Sequence, residues 1–284
     1  MVSIQPLHEE FGATITDFDL TEPFTEERIQ IILDAINQFS LICFPNQKMT
    51  DDVHIELTRR IGNPEVDHVR FGKTGEIDYF GVVGNVTPSG KLGSDASNTK
   101  FQRGNEMWHS DSSFREIPSF LSITHAYEVP GEGGQTLFAS MRAAYQRLSE
   151  GEKQQIENLQ VVHDYVYSRS KVAPVEPAHA ASLPPIVNRM VRRNPVNHLK
   201  NFYIGSHARD VVGWDYNDSR KLLDNLLQRT TGQGHVYSHQ WAIGDTVIWD
   251  NRCLLHRGGG YDADRWRRYM RQTRVAGLGP TLNE

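Results

Sequence analysis

Trp108-His109-Ser110-Asp111 sets an imidazole and a carboxylate two residues apart. On an extended backbone that spacing sends both side chains to one face, so the two can reach a single ion. A third donor must come from elsewhere in the chain. His256 is the strongest candidate, because it closes the run from Trp241 through Gly244-Asp245 and Trp249-Asp250-Asn251. Two imidazoles and one carboxylate leave three positions of a metal ion open, the facial arrangement that suits iron(II) and oxygen chemistry. Those positions admit a cosubstrate with two prongs and still leave room for O₂. Zinc could use the same donors for hydrolysis, but no helical His-Glu-x-x-His accompanies them. A scaffold that only binds a small molecule is the third reading, and loss of a ligand would be its sign. His-x-Asp alone is a weak signal in a chain with 12 histidines. His125, His163, His198, His235 and His239 lack ligand spacing and read as polar strand or loop residues.

The elements that must position these residues are short. Glu26 to Phe39 carries Ile29, Ile32, Leu33 and Ile36 at helical spacing behind Thr25, and Leu41 to Phe44 then reads as a buried strand. Thr50 caps a second helix from Asp51 to Ile61, Ser149 and Glu152 form a capping box, and Leu222, Leu223, Leu226 and Leu227 mark a fourth helix. From Phe120 onward come short runs: Leu121 to Ala126, Gln135 to Ala139, Val161 to Tyr167, His235 to Trp241, Thr246 to Trp249 and Tyr269 to Val275. Many short strands with Gly-rich turns predict a mainly β fold with a few helices, an antiparallel sandwich or jelly roll. Residues 62–105, rich in Gly, Asn, Ser and Thr, read as a long loop region around one strand near Ile77 to Val83. A loop of that length suits an active-site lid. No repeat or linker divides the chain, so residues 1–284 are read as one domain.

Bulk properties narrow the partners. The chain of 284 residues with 38% apolar content can bury a core, and its formal charge of -5 disfavours phosphate-backbone binding. Neither a leader of basic residues followed by an apolar run nor about 18 consecutive apolar residues occurs, which predicts a cytoplasmic protein without membrane contact. Cys43 and Cys253 fit a reduced compartment, and the sequons at Asn85 and Asn217 read as accidental.

Several further segments carry a resemblance. They are Asn105 through Phe114, Gly133-Gly134-Gln135-Thr136, Met141-Arg142-Ala143-Ala144-Tyr145, the run from Gly244 to Gly258, and Arg267-Arg268 on the last strand. Together they resemble the taurine / 2,4-dichlorophenoxyacetate (TauD/TfdA) dioxygenase family, with greater likeness to its 2,4-dichlorophenoxyacetate branch. The resemblance implies a double-stranded β-helix (jelly-roll) core and iron(II) at His109, Asp111 and His256. It also implies 2-oxoglutarate as cosubstrate, its far carboxylate held by Arg268 and Thr136, and O₂ as the second cosubstrate. Such enzymes couple decarboxylation of 2-oxoglutarate to succinate and CO₂ with hydroxylation of a small organic substrate, and with ether cleavage where the hydroxylated carbon bears an ether oxygen. The family often forms homo-oligomers. A guanidinium suits the carboxylate role, because its fork matches the two oxygens.

Alternation on the last strand puts Arg268, Met270, Gln272 and Arg274 on one face. Four residues after its 2-oxoglutarate arginine, the family carries a second arginine that holds the substrate's anion. Here that position is Gln272. The substrate then presents a neutral group there, or Arg274, Arg70 or a histidine meets its anion. The resemblance places His68, Phe71 and Asn105 where substrate contacts fall, and His207 is a further pocket candidate.

Overall fold

The computed structural model describes residues 2–67, 77–87, 89–92 and 104–284. Its strands, numbered along the chain, build one seven-stranded sheet. The order is β1 (Ser3–Pro6), β2 (Ala13–Thr16), β3 (Leu41–Phe44), β13 (Thr246–Asp250), β5 (Ser119–Glu128), β15 (Tyr269–Ala276) and β4 (Gly81–Gly84). A three-stranded sheet runs β12 (Val236–His239), β6 (Thr136–Ser140), β14 (Leu254–Gly258). Two smaller groups flank it: β11 (Ala208–Val211), β7 (Gln160–His163), β8 (Ile186–Arg189), and the pair β9 (Val191–Arg193), β10 (Lys200–Phe202). All these pairings are antiparallel except β2 with β3. The architecture is mainly β with helices.

Period-two alternation assigns each face of the large sheet a partner. Ile42, Phe44, Leu121, Ile123, Ile248 and Val275 pack with Ile29, Ile32 and Ile36 of helix Glu26–Phe39 and Leu57 of helix Asp51–Ile61. Leu41, Cys43, Val247 and Trp249 turn the other way and meet Phe138 of β6 and Leu254 of β14. The two sheets therefore face each other. Both helices begin where their caps predict: Thr25 Oγ1 accepts from Arg28 N and Thr50 Oγ1 from Val53 N. Such a cap is worth about 1 kcal/mol. Ser149 and Glu152 form the reciprocal capping box.

Two expectations need correction. The run from Val161 to Tyr167 is not one strand, because β7 ends at His163 and a helix begins at Tyr165. Asp164 is the cause: its carboxylate accepts from Tyr167 N and starts helix Tyr165–Arg169. The His-x-Asp segment is not an extended strand either. His109 makes one antiparallel bridge with His256, and the chain then enters a turn at Asp111 that passes through Ser112 at φ 52°. Glu65, buried beneath that turn, accepts from Ser112 Oγ at 2.5 Å and pairs with Arg115 at 3.0 Å.

Within the expected loop region, β4 pairs with β15 close to where a strand was read, and residues 68–76, 88 and 93–103 lie outside the described residues. No helix among the described residues is long and apolar enough to cross a membrane. Asn85 is not available to a glycan, since its buried side chain binds Ala263 O, Trp266 O and Arg268 N.

Candidate active site

The backbone bridge between His109 and His256 sets two imidazoles side by side between the facing sheets, with ring centroids 4.2 Å apart. Asp111 Oδ1 lies 3.7 Å from His109 Nε2 and 3.8 Å from His256 Nε2. These separations suit three donors around one ion at about 2.0–2.2 Å each. His109 Nδ1 is bonded to Met107 O at 2.7 Å, which aims Nε2 inward. The turn that delivers Asp111 is pinned by Asn251, whose Oδ1 accepts from Asp111 N and from Trp249 Nε1.

Asp111 Oδ2 is already occupied. It accepts from Ser122 Oγ at 2.6 Å and from Gln272 Nε2 at 2.8 Å, so Oδ1 alone faces the imidazoles. Burial pushes the Asp111 carboxyl up, but the two imidazoles, Arg274 and the Ser122 hydroxyl outweigh it and hold the group well below the ordinary carboxylate range. Burial lowers His109, and it lowers His256 to about 3. Near neutral pH the cluster is therefore one carboxylate and two neutral imidazoles, the protonation state a metal ion requires.

A cavity of about 110 Å³ opens onto this cluster, lined among others by Asn105, Thr136, Arg268, Met270 and Gln272. That is room well beyond a single water. Arg268 is 7% exposed and makes no salt bridge among the described residues, and its Nε has no hydrogen-bond partner. Burial lowers its pKa to about 10, so it remains a cation at neutral pH. A buried guanidinium without an acid costs several kcal/mol, which an incoming carboxylate would relieve. Trp241 Nε1 donates to Thr136 Oγ1 at 2.9 Å, which leaves the hydroxyl proton of Thr136 to donate into the cavity. The backbone of Arg268 is held by Asn85, and Gly84 makes the approach possible: a Cβ there would stand 2.0 Å from Arg268 O, at a φ of 140°.

The structure thus brings His109, Asp111, His256, Thr136, Arg268, Asn105 and Gln272 to one cavity. His207 stands edge-on to His109 with ring centroids 6.4 Å apart. His68, Phe71 and Arg70 lie outside the described residues. Arg274 is not available to a substrate anion, because its guanidinium pairs with Glu65 at 3.1 Å and Asp67 at 3.2 Å. Sequence reasoning missed Ser122, Asn251, Asn85 and Trp241 as supports, and Tyr261, whose ring centre lies 5.8 Å from Arg268 Cζ. Only alternation along β5 and the Trp249-Asp250-Asn251 run hinted at the first two.

His239 has more company than its spacing suggested. With Cys43 and Asp245 it forms a second buried group whose potential ligand atoms lie within 4.8 Å of one another. Burial, with the Asp245 carboxylate beside it, pushes the Cys43 thiol far up and keeps it protonated. His239 Nε2 lies 3.2 Å from Asp245 Oδ2, so the group reads as a polar core contact.

A mainly β scaffold with this donor set belongs to the non-haem iron dioxygenases that consume 2-oxoglutarate and O₂. The chain belongs to one family within that class: residues 3–274 match the family described as "Taurine catabolism dioxygenase TauD, TfdA family". It is 33% identical over 278 residues to the alpha-ketoglutarate-dependent 2,4-dichlorophenoxyacetate dioxygenase of Cupriavidus pinatubonensis, covering 96% of this chain and 97% of that protein. The (S)-phenoxypropionate/alpha-ketoglutarate-dioxygenase of Sphingobium herbicidovorans is also 33% identical, over 96% of this chain and 94% of its own. The crystal structure of AAD-2 in complex with Mn(II) and N-oxalylglycine matches with a TM-score of 0.90 at 33% identity, covering 99% of this chain and 98% of that one.

Proposed function

We propose that the chain acts as a single dioxygenase domain in which His109, Asp111 and His256 hold iron(II). Arg268 and Thr136 bind the far carboxylate of 2-oxoglutarate, and the substrate is an aryloxy compound hydroxylated next to its ether oxygen. The observation that carries this reading is Arg268, a buried cation without an acid partner among the described residues, in the cavity shared with the metal donors. A zinc hydrolase leaves Arg268 and Thr136 without a shared task, and a non-catalytic binder leaves three intact donors unexplained.

Iron and cosubstrate, when bound, supply the oxidation: one oxygen atom of O₂ leaves in succinate as CO₂ is lost, and the other reaches the substrate carbon. The protein's own residues position and exclude. Ser122 and Gln272 restrain Asp111 to one ligand oxygen. Trp249 and Phe138 pack against the His256 ring at 4.9 Å and 6.1 Å and keep water from its flank. Thr136 and Arg268 fix the cosubstrate's far end and so its direction of approach. The aryloxy class is supported by the relatives that share a third of this sequence. Hydroxylation of a carbon bearing an ether oxygen gives a hemiacetal, which collapses with cleavage of the C–O bond.

In the same reading the two facing sheets are the halves of a double-stranded β-helix, with β13 between β3 and β5 and β6 between β12 and β14. Two free, buried cysteines fit a cytoplasmic protein. The test is an anaerobic titration of metal-free protein with iron(II) and then 2-oxoglutarate, which should raise a visible charge-transfer band at one equivalent of each. Absence of the band, with zinc bound in place of iron, would sink the dioxygenase assignment of this site.

A further inference from the structure

Asp111 Oδ2 is held by two donors, and the two differ in kind. Gln272 Nε2 carries protons whose direction the amide plane fixes. The Ser122 hydroxyl has one proton, on a bond that turns freely until its oxygen is engaged. Asn251 engages it, because Asn251 Nδ2 donates to Ser122 Oγ at 2.8 Å. With a lone pair taken from behind, the Ser122 proton is directed at Asp111 Oδ2, 2.6 Å away.

The orientation of the Asn251 amide is itself determined. Its Oδ1 accepts from Asp111 N and from Trp249 Nε1, both at 3.1 Å, so Nδ2 must face Ser122. Its backbone is fixed too: Asn251 N donates to Phe120 O at 2.9 Å, and Asn251 O accepts from Ser110 Oγ at 2.5 Å. Asn251, Ser110 and Ser122 are all buried, so water offers no substitute partner. The bonds therefore close a ring that begins and ends on Asp111. It runs from Asp111 N to Asn251 Oδ1, from Asn251 Nδ2 to Ser122 Oγ, and from Ser122 Oγ to Asp111 Oδ2. Through Trp249 the same amide also holds the indole that packs on the His256 ring at 4.9 Å.

Resting on the function proposed above, we infer that Asn251 is a positioning residue for the metal site: acting through Ser122, it holds Asp111 Oδ2 away from the ion and leaves Oδ1 as the single ligand oxygen. A carboxylate that turned to offer both oxygens would take one of the three positions that the cosubstrate's two prongs and O₂ require. The polarity of the amide decides this more than its bulk. Aspartate in its place has the same shape but no donor for Ser122, whose proton would then go to the new carboxylate and be lost to Asp111.

The test is a double-mutant cycle on the full chain, read anaerobically as iron(II) affinity and as the charge-transfer band with saturating 2-oxoglutarate. In the parent protein, Ser122→Ala should lower iron(II) affinity by about tenfold and displace the band, as expected for losing a partner of a metal ligand. In the Asn251→Asp background the same substitution should change the affinity by less than about twofold, because the hydroxyl no longer serves Asp111. Asn251→Ala, which introduces no charge, is a second background with the same expectation, and urea midpoints certify that each variant folds. A Ser122→Ala effect of equal size in every background overturns the inference, since Asn251 would then not act through Ser122. So does a parent protein that Ser122→Ala leaves unchanged, whatever becomes of the Asn251 variants. Failure of the underlying function has a separate signature, the absence of any band in the parent protein.

Discussion

The two ends of the cavity are built differently. Thr136 and Arg268 sit on or beside sheet strands, with Trp241, Asn85 and Gly84 locking them from behind. Asn105, which lines the cavity, and His207, edge-on to His109, come from segments outside the sheets and are held by contacts between parts of the chain far apart in sequence. In the proposed function the far carboxylate of the cosubstrate meets side chains that sheet strands and their supports fix in place. The end that meets a varying substrate rests on loops and a short helix, which can change without disturbing the sheets.

Predictions that would break or sharpen this contrast begin at the centre, which both ends need. Asp111→Ala should remove iron(II) binding and reduce turnover well beyond the about 10- to 100-fold typical of losing a partner of a metal ligand. Metal content and product formation measure it, and retained turnover would end the assignment. Next comes the cosubstrate end. Arg268→Met should raise the KM for 2-oxoglutarate by roughly 10- to 100-fold, as expected for losing a charge-assisted pair, with substrate affinity little changed. A substrate defect of equal size would mean the two ends are not separate. Gln272→Ala removes one of the two donors on Asp111 Oδ2, so iron(II) affinity should fall by about tenfold in a titration of the metal-free protein. An unchanged affinity would mean that this bond does not orient the ligand carboxylate.

The smallest effect concerns stability. His54 lies beneath β15, bonded to Thr273, and His163, at the end of β7, is stacked on Tyr203. Burial lowers each to about 3. Both imidazoles are neutral in the folded protein, whereas the unfolded chain protonates them near pH 6.5. Their contribution is complete above pH 6.5 and declines as pH falls from there toward 3, with a slope of at most about 1.4 kcal/mol per pH unit for each group. Urea midpoints at pH 7 and pH 5 should show the loss, and His163→Phe should reduce it. A midpoint independent of pH over that range would contradict burial of the neutral forms.

Local chemistry alone determined a good deal. Thr25, Thr50 and Ser149 marked helix starts because a cap depends on residues three apart. Alternation on β15 placed Gln272 on the face of Arg268 because strand geometry repeats every two residues. His109 and Asp111 were legible as a pair from their spacing, although a turn rather than a strand brings them together, and the motif segments singled out Thr136 and Arg268. What only the tertiary structure decided depends on contacts across tens or hundreds of residues. The bridge to His256, the closure of Asp111 Oδ2 by Ser122 and Gln272, and the pairing of Arg274 with Glu65 and Asp67 all join segments that local pattern cannot connect. Asp164 is the sharpest case. The run from Val161 to Tyr167 read as one strand, and the Asp164 cap together with its backbone bond to His207 turned the end of that run into a helix.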